Sequence, residues 1–151
     1  MENIVRWNEE QREHEQIFQR LCLDFGQSIL RDAIQHDNSK WSEREYATFL
    51  DSRDSLRGSK DGQDAEYEKH YKTEAIQHHV KNNPHHPEYW DNRRELMPVK
   101  DIIAMFFDWL SRSIQRNMGM EDFWQYNLSK LTNQPHAIEI VKALRRDYGN
   151  D

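Results

Sequence analysis

PVKDIIAMFFDWLSRSIQ, residues 98–115, reads as one amphipathic helix. Pro98 suits the first helical position, where its missing N–H would be unpaired anyway. Ile103, Phe106, Phe107, Leu110 and Ile114 recur at helical spacing and form a broad apolar face. The apolar run is far too short to span a membrane, so the helix belongs to a core. Asp108 stands inside that run. A carboxylate taken from water without a partner is strongly destabilising. Asp108 therefore points outward beside Met105 and Arg112, or is paired, or meets a cation.

The rest of the chain is also helical in pattern. Asn8 caps a first helix, with Glu9 and Glu10 in its first turn and an apolar stripe of Ile17, Phe18, Leu21 and Phe25. Gly26 is expected to end it. A second helix is expected from about Ser28 to His36, with Ile29, Leu30, Ala33 and Ile34 inward. Ser42 and Glu45 have the spacing of a capping box and open a third helix through Tyr46, Phe49 and Leu50. The segment RGSKDGQD, 57–64, reads as a polar loop. A fourth helix spans about Ala65 to Asn82 and must stop at Asn83-Pro84. NPHHPEYWDNRRELM, 83–97, has no clear period and reads as a long connection of the kind that is often functional. After the Pro98 helix come a short one near Glu121 to Leu131 and a last one from Pro135 to about Tyr148. The expectation is an all-α, single compact domain of six to seven helices.

Composition narrows the function. A chain of 151 residues suits one domain with a core of its own. It is polar, at 32% charged residues, yet holds five Trp, six Tyr and six Phe, which disordered chains lack. Cys22 is the sole cysteine, so no internal disulfide forms. The N-terminus has no signal-peptide apolar core, and a soluble, cytoplasmic protein is expected, away from any membrane. A formal charge of −6 without a basic stripe disfavours long nucleic acid as a partner. Small basic groups such as Lys40 and Arg93-Arg94 suit a small anion instead.

Polar residues gather where they should be unfavourable. His14 shares a helix face with Ile17 and Phe18, and His79 shares one with Ala75 and Ile76. His36-Asp37 ends the second helix. A lone histidine on an apolar face is usually a hydrogen-bonded core residue. Three helices each aiming an imidazole or carboxylate at one core suggest a metal site, as helical bundles build them. Such donors suit a divalent transition metal (Mn, Fe, Co, Ni or Zn), with Mg where carboxylates dominate.

Taken in order, His14, then HDNSK at 36–40, then HHVKNNPHHPEYW at 78–90, then Asp108-Trp109 resemble the HD superfamily of metal-dependent phosphohydrolases. More closely they resemble a small bacterial and phage family without an assigned activity, over about residues 14–130. The resemblance implies His14, His36, Asp37 and Asp108 as metal ligands and Lys40 beside a substrate phosphate. It implies one or two ions, the second with His78 and His79 and Glu10 as candidate ligands. It departs where PEYW stands in place of GYP, and only His70 is near an expected intervening histidine. His85 and His86 on the loop suit acid–base work near neutral pH, and His78 or a loop histidine would protonate the leaving oxygen. Arg93 or Arg94 would stabilise developing charge. The substrate is then a nucleotide or small phosphodiester, and a homodimer is common in the superfamily. Tyr89, Trp90, Trp7, Trp41, Trp109 and Trp124 read as packing residues. Two rival readings stay open: a binding module, such as a phage-type sequestering protein, and a purely structural polar core.

Overall fold

The computed structural model describes residues 2–46, 74–116 and 120–148. Among these every regular element is helical, and no strand occurs. The elements are α1 (Glu2–Ile34), a 3-10 turn (Asn38–Trp41), α2 (Glu74–Asn82), α3 (Pro87–Asp91), α4 (Val99–Arg116), α5 (Met120–Ser129) and α6 (Pro135–Tyr148). The loop expected at 57–64, the first half of the expected fourth helix and His70 lie outside the described residues. So do Phe49, Leu50 and the side chain of Trp7. No helix among the described residues is long and apolar enough to cross a membrane.

The chain divides into two compact units, Met1–Gln35 and His36–Asp151. The first is α1 alone. The two helices expected on either side of Gly26 are one continuous helix of 33 residues. A glycine inside a helix weakens it by about 1 kcal/mol, which the rest of a long helix absorbs. A unit made of one helix has no second element of its own to bury an apolar stripe. Ile17, Phe18, Leu21 and Phe25 are accordingly exposed, and so is His14.

The second unit holds a core built by α4, α5 and α6. Ile102, Met105, Phe106 and Trp109 of α4 are buried with Phe123, Trp124, Leu131, Ala137 and Val141. The expected face of α4 is rotated. Met105 is buried, while Phe107 and Ile114 are exposed. The true stripe, Ile102, Met105, Phe106, Trp109 and Ser113, keeps helical spacing and leaves Asp108 on a flank. Phe106 stacks on Trp124 with ring centroids 5.3 Å apart, and Trp109 meets the same indole edge-on at 6.3 Å. Trp41, expected to pack, is exposed and stacks on Tyr46 at 5.9 Å.

The connection expected between 83 and 97 contains α3. Pro87 opens it at the first helical position, where its fixed φ is already helical. Trp90 Nε1 donates to the Pro84 carbonyl at 2.7 Å and ties this helix back to the preceding turn. Downstream, buried Gln134 accepts from Met97 N–H and donates to Asp91 and to the Glu95 carbonyl. One side chain thus satisfies the backbone of the turn into α4.

Candidate metal centre

The centre begins at an unusual backbone position. Asp37 adopts φ 59°, ψ 16°, the left-handed region. Asp tolerates this better than most residues because its short side chain is polar. The chain bends there, and His36 and Asp37 turn toward each other, with Nε2 and Oδ2 3.3 Å apart. The 3-10 turn follows, closed by Lys40 N–H donating to the Asp37 carbonyl at 2.9 Å. Residues three apart eclipse in such a turn. Lys40 Nζ therefore lies over Asp37 and donates to Oδ2.

α2 adds His79, buried on the same face as Ala75. Its Nε2 is 3.0 Å from Asp37 Oδ1. The Asn83-Pro84 turn places His85, with Nε2 3.4 Å from the same oxygen. His86 stands at the N-cap of α3. From α4 comes Asp108, whose Oδ1 pairs with His36 Nε2 at 3.1 Å. The rings crowd together: His36–His85 and His85–His86 centroids are each 4.3 Å apart, and His79–His86 are 4.9 Å apart.

Two groups of donors result, Asp37–His79–His85–His86 and His36–His85–Asp108. Within each group one ligand atom per residue lies within 4.8 Å of the others. Both groups fall inside the second unit. Their hydrogen bonding is incomplete in a telling way. Asp37 Oδ1, His85 Nε2 and His86 Nε2 are buried and make no aligned hydrogen bond. Buried polar atoms without partners are rare and need an explanation. Here they face one common point, which is how ligand atoms face a cation. The donor set of imidazoles and carboxylates fits a divalent transition metal.

Electrostatics agree. The bond to Asp108, then that to Asp37, raises the His36 imidazole to about 9, against a smaller opposing effect of burial. A proton there compensates two carboxylates, and a cation would do the same. Burial pushes Asp37 upward, but His36, His79, His85 and Lys40 together hold it well below the carboxylate range. Asp108 is likewise lowered, burial notwithstanding, by His36. Burial, followed by the neighbouring His85, depresses His86 well below the histidine range, so its ring stays neutral and able to ligate.

Residues 4–146 match a family described as of unknown function, DUF5662. The chain belongs to that family. No curated protein and no solved structure matches it. The family match contains every residue of both donor groups.

Of the ligands expected from the sequence, the structure brings together His36, Asp37, His79 and Asp108. His14 belongs to the first unit, as an exposed residue of α1. His85 and His86, expected on the loop as acid–base residues, are members of the donor groups. His78 faces Glu45 at 2.5 Å. Arg93 is exposed and stacks on Tyr89, 3.5 Å from the ring centre, with Nη1 bonded to the Tyr89 carbonyl. The cation beside the carboxylates is Arg112, 3.9 Å from Asp37 Oδ2 and 4.0 Å from Asp108 Oδ1. Sequence reasoning named Arg112 only in the alternative that turned Asp108 outward, although their one-turn spacing was the signal that they share a face. It missed Glu45 as well. The expected capping box does not form: Ser42 N–H donates to the Ser39 carbonyl, and the Glu45 carboxylate turns to the histidines.

Proposed function

We propose that the chain is a metal-dependent phosphohydrolase with an HD-type centre, acting on a nucleotide or a small phosphodiester. The observation that carries this reading is the set of buried, unsatisfied atoms Asp37 Oδ1, His85 Nε2 and His86 Nε2 converging on one point. Asp37, His79, His85 and His86 would hold an ion there, and His36, Asp108 and His85 form a second donor group. A divalent cation at this place supplies Lewis-acid activation of water at neutral pH and neutralises phosphate charge.

The chain's own residues supply the rest. Lys40 and Arg112 both approach Asp37 Oδ2, which His36 also approaches, while His79 and His85 face Oδ1. The lysine and the arginine place positive charge where a phosphate near the ion would carry its negative charge. Arg112 is about half exposed and bridges the carboxylates to solvent. A phosphorylated ligand arriving from solvent meets its guanidinium, whose planar fork suits phosphate oxygens. Asp37 orients the centre by dividing its two oxygens between these two sets of neighbours.

The test is metal content of tag-free protein, then phosphate release from a nucleotide panel with Mn²⁺, Co²⁺ or Mg²⁺. Wild type should turn over at least one substrate, and Asp37→Asn should lose roughly 100-fold or more, the scale of removing a transition-state contact. Equal inertness of both proteins with every metal rejects catalysis. Tight nucleotide retention without product would replace it with the sequestering module.

A further inference from the structure

Glu45 is fully buried, and its carboxylate reaches three side chains. Oε1 meets His78 Nδ1 at 2.5 Å, and Oε2 meets His79 Nδ1 at 3.0 Å and the Ser39 hydroxyl at 3.0 Å. His79 Nδ1 also lies 2.9 Å from Ser39 Oγ and 3.2 Å from Asn83 Nδ2. Counting protons over this group settles which nitrogen of His79 carries one. Asn83 Nδ2 has two hydrogens, aligned with Ser39 Oγ at 2.8 Å and with the His79 carbonyl at 2.7 Å. None remains for His79 Nδ1. Ser39 has one hydroxyl hydrogen, donated to Glu45 Oε2. Glu45 Oε2 can only accept, so its 3.0 Å contact with His79 Nδ1 calls for the proton on Nδ1. Nε2, the ring's other nitrogen, lies 3.0 Å from Asp37 Oδ1, and a cation bound between the two would take its lone pair.

We infer that Glu45 is a positioning residue: its buried carboxylate locks His79 in the Nδ1–H tautomer and so aims Nε2 into the donor group. A carboxylate behind a ligating imidazole fixes the ring and raises its basicity, and such partners contribute strongly to affinity. Two oxygens are needed because two adjacent histidines are held. His78 is the second of these, and its place is behind the ligand rather than at a leaving group. The inference rests on the metal-centre reading but on no hydrolase activity.

The experiment uses the full chain labelled with ¹⁵N-histidine. Long-range ¹H–¹⁵N correlation assigns the protonated nitrogen of His79 in the neutral ring, and Zn²⁺ titration gives affinity. Wild type should show Nδ1–H. Glu45→Gln offers one acceptor where two imidazoles need two, so its His79 should show mixed tautomers and Zn²⁺ affinity should fall roughly 10–100-fold. Glu45→Asp keeps a carboxylate and should recover the Nδ1–H signal at least in part; it also serves if the Gln variant fails to fold. A merely structural role would lower Tm in these variants without moving the tautomer. Nε2–H in wild type, or unchanged tautomer and affinity in Glu45→Gln, overturns the inference. A wild type that shows Nδ1–H yet binds no Zn²⁺ overturns the metal centre and, with it, Glu45's role toward a ligand.

Discussion

One helix builds both ends of the second unit, and the two ends are finished differently. On one face of α4, Ile102, Met105, Phe106 and Trp109 close against Trp124, Leu131 and Val141. On its flank, Asp108 and Arg112 enter a cluster of four imidazoles and two carboxylates. The apolar end closes by packing, although buried Trp124 Nε1 has no hydrogen-bond partner there among the described residues. The polar end leaves Asp37 Oδ1, His85 Nε2 and His86 Nε2 buried without hydrogen bonds. Such atoms destabilise a fold by about 1–3 kcal/mol each. Three such atoms in one donor group, against a single indole N–H in the core, are what a bound cation would satisfy under the proposed reading.

The contrast can be broken in steps. Trp124→Ala should destabilise most, by about 3–5 kcal/mol, because a fully buried indole leaves a cavity. Chemical denaturation should show this loss with and without metal alike. Divalent metal should act on the other end alone. At a hundred times its dissociation constant it should add about 2.7 kcal/mol of stability. Asp37→Asn should abolish that gain, and a gain that survives the substitution would move the ion elsewhere.

A smaller effect distinguishes the ends by pH. In metal-free protein His36 is raised to about 9 from an ordinary 6.5. Its contribution is complete below pH 6.5 and is lost as pH rises through 9. His86 is depressed by burial, so its contribution is complete above 6.5 and is lost as pH falls below that value. Metal-free stability should therefore peak near pH 6.5, with Tm falling on both flanks by on the order of 2–4 °C, the size of 1 kcal/mol in a chain of this length. A flat profile by calorimetry would mean that the cluster is loosely held. The smallest effect should come from Trp41→Ala, within about 0.5 kcal/mol, because an exposed side chain loses little on truncation.

The helical class was legible because hydrophobic spacing survives errors of detail. The face of α4 was misread by one position, since Phe106 and Phe107 are adjacent and only one of them is buried. Asp108 was legible as a charge inside an apolar run. His14 shares a face with Ile17 and Phe18, and in the first unit taken by itself that face is exposed. Glu45 was hidden by an ambiguity of local pattern. The same S-x-x-E spacing serves a helix cap or frees the acid for distant partners, and those partners lie 33 and 34 positions away. Arg112 was visible only once Asp108 was known to face inward.

The left-handed turn at Asp37 has a consequence for any attempt to rebuild this centre. Neighbouring side chains on a regular helix or strand diverge, so His36 and Asp37 reach their two adjoining donor groups only while that bend persists. Asparagine or glycine preserves the bend; a β-branched residue opposes it. Occupancy will consequently report on backbone conformation as much as on ligand chemistry. Apparent affinity scales with the fraction of molecules already bent, and grafting the doublet onto straight backbone would carry over the letters without the grip.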